Sequence, residues 1–143
     1  MNLSKNFKLE EFTKSETAAR LHIDNNIKDK EIEKNVEALC INVLQPLRDY
    51  VGNPVKISSG YRCPALNKAV NGSSTSQHMQ GEAADIIIPD KKTGLNWFEW
   101  MRTHLTYNQL IWETNSRGAS WIHVGYCRNR KNKMQVLSLR VQS

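Results

Sequence analysis

Residues 76–88 read SQHMQGEAADIII, and the stretch changes character halfway along. The first half is a polar loop that reaches Gly81, where a residue without a side chain permits a sharp bend. The second half, EAADIII (82–88), reads as a strand that Pro89-Asp90 stops. Asp85 stands directly before three isoleucines. A carboxylate taken from water beside such a run costs several kcal/mol or more unless a partner replaces the water. The strand therefore predicts a partner for Asp85, and the surrounding chain must supply it.

Moving upstream, DKEIEKNVEALCINVLQPLRDYVG (29–52) is the clearest helix. Ile32, Val36, Leu39, Val43, Leu44 and Leu47 recur close to a 3.6-residue period. Pro46 predicts a kink and Gly52 a stop. FKLEEFTK (7–14) suggests a short turn or helix, VKISSGYR (55–62) a short strand entering a loop, and PALNKAV (64–70) a short helix. Downstream, TGLNWFEWMRTHL (93–105) predicts a helix with Leu95, Phe98, Trp100 and Met101 on its core side. YNQLIWE (107–113) and ASWIHVGYC (119–127) read as strands joined by an NSRG turn, and MQVLSLRV (134–141) as a last strand or tail. A long helix followed by strands mixed with helices predicts an α+β fold with a mainly antiparallel sheet. There is no repeat or linker, so residues 1–143 are expected to form one domain, a monomer.

Composition narrows the function classes. Hydrophobic residues make up 39% and charged residues 24%, ordinary for a soluble globular chain. The longest apolar run falls far short of the ~20 residues a membrane helix needs, so no membrane partner is expected. MNLSKNFKLEEF (1–12) lacks the apolar core of a secretory signal, so the chain is expected to be cytoplasmic as made. Work outside the cell would then require some other means of release. Cys40, Cys63 and Cys127 are too few and too widely spaced for a disulfide framework or a cysteine-based zinc site. The net charge of +6 is concentrated in CRNRKNK (127–133). Such a run either attracts an anionic polymer or forms a solvated hairpin tip. No nucleic-acid motif or aromatic–basic interleaving accompanies it, so the hairpin tip is the reading and no nucleic-acid partner is expected.

The partner for Asp85 emerges when the polar residues are taken together. His78 lies in the loop and Asp85 a few residues into the next strand. His123 lies on a later strand, on the face opposite Ile122 and Val124. Two imidazoles and one carboxylate make the three-ligand set that catalytic zinc uses, with a fourth position left for water. A divalent cation would also compensate the desolvation of Asp85. His22 and His104 have no such context and read as surface or supporting residues.

These residues carry a resemblance. The segment SGYRCPALNKAVNGSSTSQHMQGEAADI (59–86) resembles the signature of the M15 zinc peptidases, S-x-H-x-x-G-x-A-x-D, here as Ser76, His78, Gly81, Ala83 and Asp85. Trp121-Ile122-His123 matches the family's W-x-H strand, and Ser59 to Arg62 its upstream S-G-Y-R. The likeness spans about residues 5–127 and is greatest to small, single-domain bacterial and phage proteins. It implies a Hedgehog/DD-peptidase-like fold with helices packed on one side of the sheet. It implies one zinc held by His78, Asp85 and His123. It also implies cleavage of peptidoglycan stem peptides, by a D-Ala-D-Ala carboxypeptidase or an L-Ala-D-Glu endopeptidase, with a zinc-bound water as nucleophile. A zinc-containing, non-catalytic cell-wall peptide-binding module of the same fold is the alternative.

One position departs from that pattern. Many members place an acid or histidine three residues before the last ligand, as general base; here Ser120 stands there and cannot take a proton at neutral pH. Glu113 is the nearest candidate base, since a hairpin through NSRG returns it beside the strand of His123. Arg62 is the candidate to steady an oxyanion or bind a substrate carboxylate. Ser76 is expected to contact substrate or support the His78 loop, and Gln77 to contact substrate. Trp121 and Tyr126 are expected to line the cleft or to pack.

Overall fold

A computed structural model describes residues 1–141. The periodic stretch 29–52 forms α3 (Lys30–Leu39), one wide turn (Cys40–Leu44) and α4 (Gln45–Val51). Asp29 caps α3, accepting from the Glu31 N–H at 2.8 Å, and Gly52 ends α4 in the left-handed region at φ 75°. In the wide turn the Gln45 N–H reaches back five residues to the Cys40 carbonyl. The adjoining Pro46 explains it. Its ring would clash with the carbonyl four residues back in a regular helix, and one extra residue in the turn relieves that clash. The expected kink is therefore a widened turn.

Two short helices precede these, α1 (Glu10–Thr13) and α2 (Glu16–Arg20). The second is too short for a periodic signal, but Ser15 caps it through the Ala18 N–H. Next come β1 (Ile57–Ser59), α5 (Pro64–Ala69), a single 3₁₀ turn (Gln77–Gln80) and β2 (Ala83–Ile86). The chain then adds α6 (Lys91–His104), β3 (Gln109–Thr114), β4 (Ser120–Gly125) and β5 (Gln135–Arg140). The sheet order is β1-β2-β4-β3-β5. Three pairings are antiparallel, but β5 runs parallel to β3, so the sheet is mixed rather than simply antiparallel. Both edges of β4 are taken by β2 and β3, and the returning chain adds to the outer edge of β3.

One face of this sheet carries the core. Ala84, Ile86, Leu110, Ile122 and Val124 meet Leu39, Val43, Leu44 and Leu47 from the long helical stretch, and Trp97 and Met101 from α6. Each large side chain fully buried this way contributes about 1.5–3 kcal/mol relative to exposure. On α6 the expected inner face holds at Met101 but not at Leu95. Leu95 is 53% exposed, while Trp97 is buried and Phe98 and Trp100 pack at the margin. Cys40 belongs to the core as a buried hydrophobe, and none of the three cysteines is disulfide-bonded.

The basic run is not a free hairpin tip. Arg128 pairs with Glu31 and Asn35 on α3, and Arg130 places both terminal nitrogens 2.9 Å from the two carboxylate oxygens of Glu82. Glu82 is buried just ahead of β2, so the link from β4 to β5 is clamped onto the body of the protein. No helix among the described residues is long and apolar enough to cross a membrane.

Candidate metal centre and active site

The opposite face of the sheet carries the polar residues, because side chains alternate along a strand. Asp85 on β2 lies directly across from His123 on β4. Their contact is short, with His123 Nδ1 2.9 Å from Asp85 Oδ1. His78 approaches from the 3₁₀ turn and places Nε2 3.5 Å from the same oxygen. Gly81 ends the 3₁₀ turn in the left-handed region at φ 69°, pressed against the long helix; an added Cβ would lie 2.7 Å from Val36 Cγ2 and 2.8 Å from the Ile32 carbonyl oxygen.

The tautomer of His78 follows from its other nitrogen. Nδ1 lies 2.7 Å from the Gly60 carbonyl, which can only accept, so Nδ1 carries a proton and Nε2 is the nitrogen aimed at Asp85. The backbone fixes the same loop, since the His78 carbonyl accepts from the Arg62 N–H at 3.1 Å. Ser76 supports it as well, its Oγ accepting from the His78 N–H at 3.2 Å.

The electrostatics are those of a charge cluster short of water. Burial pushes the Asp85 carboxyl up, but hydrogen bonds from His123 and His78 outweigh that and hold it well below the usual carboxylate range. Burial pulls His123 down, yet the Asp85 bond and the nearby Glu113 charge leave its pKa above the ordinary imidazole value. Burial lowers the pKa of Arg62, against the opposing pull of Asp85 and Glu113. Asp85 thus has the partner its sequence context demands.

The donor set fits a divalent ion. One atom each from His78, Asp85 and His123 can be chosen so that all lie within 4.8 Å of one another. Tetrahedral zinc with bonds near 2.1 Å separates its ligands by about 3.4 Å. The 2.9 and 3.5 Å separations bracket that spacing. Two imidazoles and a carboxylate match the ligands of catalytic zinc sites, and the outward hydrogen bond of His78 is the usual support for such a ligand.

Around this cluster is a cleft of about 1070 Å³, lined among others by Arg62, Ser76, Glu113 and Trp121. The NSRG turn returns the chain as expected. Glu113 pairs with Trp121 across the hairpin, and its Oε1 lies 3.9 Å from His123 Nδ1. Trp121 Nε1 donates to that same oxygen at 2.8 Å. Ser120 lies across from Thr114 and bonds its hydroxyl at 2.8 Å, on the face away from His123. Gln77 and Tyr126 do not line the cleft; the Gln77 Oε1 is buried close to Gly125, and Tyr126 packs against the core. His22 and His104 are exposed, the latter stacked on Trp100.

Sequence reading passes over two supporting groups. Asn67 is buried, accepts from Arg62 Nη1 at 3.0 Å and donates to the Ser73 carbonyl at 2.9 Å. Its signal was its place beside Leu66, on the inward side of a helix too short to show a period. The Gly60 carbonyl carries no residue-type signal at all. Arg62 is thus aimed by Asn67 and by Ser59, whose Oγ lies 3.3 Å from its Nε.

No curated protein matches the chain. A family model described as Peptidase M15 matches residues 5–125, a span that contains the three candidate ligands, Glu113 and Arg62 and ends with β4. With that match over most of its length, the chain belongs to the M15 peptidase family.

Proposed function

We propose that the chain is a zinc-dependent metallopeptidase of Hedgehog/DD-peptidase-like fold that hydrolyses amide bonds in peptidoglycan stem peptides. The observation that carries the reading is the convergence of His78, Asp85 and His123 in one cleft, with Glu113 beside them. Zinc held there supplies Lewis-acid polarisation of the scissile carbonyl and lowers the pKa of water toward ~7. The protein residues do the rest. Glu113 accepts the proton of the attacking water and returns it to the leaving amine. Arg62, aimed into the cleft by Asn67 and Ser59, offers its remaining donors to the developing oxyanion or to a substrate carboxylate. Ser76 holds the His78 loop.

The resemblance to M15 zinc peptidases supports the substrate class, and it leaves two bonds, D-Ala-D-Ala and L-Ala-D-Glu. Incubating zinc-loaded protein with purified muropeptides and weighing the products by mass spectrometry tests both together. Loss of a terminal alanine marks a carboxypeptidase, and release of the stem after L-Ala marks an endopeptidase. A zinc-loaded protein that binds stem peptides without any product defeats the hydrolase reading. It favours the peptide-binding module, for which Ser120 at the usual position of the base is the supporting feature.

A further inference from the structure

We infer that Trp121 is a positioning residue that orients Glu113 through a single indole hydrogen bond. The inference rests on the reading of Glu113 as general base. A carboxylate three rotatable bonds from the backbone has to be held if it is to meet a water at a fixed point. In this protein Trp121 Nε1, a donor only, lies 2.8 Å from Glu113 Oε1. The two residues face each other in the β3–β4 register, so the bond closes between neighbours across the strands without a long reach. Both side chains line the cleft, and both are partly shielded from water.

The bond divides the work of the carboxylate. Oε1 is taken by the indole and lies 3.9 Å from His123 Nδ1. Oε2 has no hydrogen-bond partner among the described residues and is the oxygen left to take the proton. Trp121 stands two residues before His123 on one face of β4, so the strand sets the position of a candidate ligand and of the donor that holds the base. The arrangement also explains how Ser120 is tolerated. The base is supplied from β3 and held by the residue after Ser120, so the face on which Ser120 lies no longer matters.

Trp121→Phe keeps a large ring and removes the donor. It is expected to lower kcat about tenfold or more, since hydrogen bonds to charged groups are among the stronger ones. KM on muropeptide and bound zinc should stay within about twofold of wild type, because the variant leaves the ligands untouched. A direct readout needs no turnover. The indole N–H resonance that vanishes in Trp121→Phe should move in Glu113→Ala, and would stay put if Trp121 only packs. A fully active Glu113→Gln removes the base assignment and this inference with it. An inactive Glu113→Gln alongside a Trp121→Phe of wild-type kcat overturns the positioning role alone, as does a loss carried wholly by KM, which would make Trp121 a substrate contact.

Discussion

Ile122 and His123 are neighbours on β4, yet they face opposite environments. Ile122 is fully buried beneath the helices, in a layer that includes Leu110 and Val124. His123 looks the other way, into a cleft where its partners are Asp85 and Glu113. The same division runs through β2, with Ala84 and Ile86 toward the core and Asp85 toward the cleft. One face is held by non-directional burial and tolerates changes that keep volume. The other is held by a few directional contacts whose geometry is the function. The sheet lets both be built from the same few residues without mixing their requirements.

The largest effect should come from the polar face. His78→Ala is expected to lose zinc and to lower turnover by about a thousandfold or more, as removal of several kcal/mol of transition-state stabilisation requires. Elemental analysis and a muropeptide assay check it. Wild-type protein that purifies without zinc and is unmoved by a chelator would sink the metal assignment. Glu113→Gln should retain zinc and still lose about 10²–10⁴-fold in kcat, separating the base from the ligands.

The core face should respond in a different measurable. Ile122→Ala is expected to cost about 2–5 kcal/mol of stability by denaturant titration, while zinc content and turnover of the folded fraction hold. A collapse of zinc binding in that variant would break the division between the faces. The smallest effect belongs to neither face. Asp90 caps α6 through the Thr93 N–H at 2.7 Å and its hydroxyl at 3.1 Å, and the Thr93 amide bond is the main cause that lowers its pKa. Its contribution is therefore present above the unfolded carboxyl value near ~3.9 and is lost as pH falls through the lower folded value. Asp90→Ala should lower the melting midpoint by roughly a few degrees at pH 7, and by less at low pH.

Much of the site was legible because its residues carry chemistry that is out of place. A carboxylate before three isoleucines demands a partner, and a histidine in the preceding loop and another on a later strand offer one. Glu113 was legible through the hairpin, since turn length sets which residues face each other. What could not be read lies in pairings between distant segments. The parallel placement of β5 depends on which strand edge is left free, and no local pattern records that. The clamps from Arg128 to Glu31 and Arg130 to Glu82 span long sequence separations, so a run of cations looked unspent. On α6 the periodic pattern put Leu95 inward, and packing chose the larger ring of Trp97 instead.

Gly81 joins the two halves of this account. Because an added methyl there would strike Val36 and the Ile32 carbonyl, the loop that delivers His78 is seated on the long helix with almost no clearance. The coordinates of a metal ligand are in that sense inherited from a helix that supplies no ligand itself. A change that shifts α3 by a fraction of an ångström, with no contact to the cleft, would arrive at His78 as a displacement of comparable size. Resistance to heat and fidelity of the cleft then have a common origin. Selection for one at Val36 or Ile32 acts on the other.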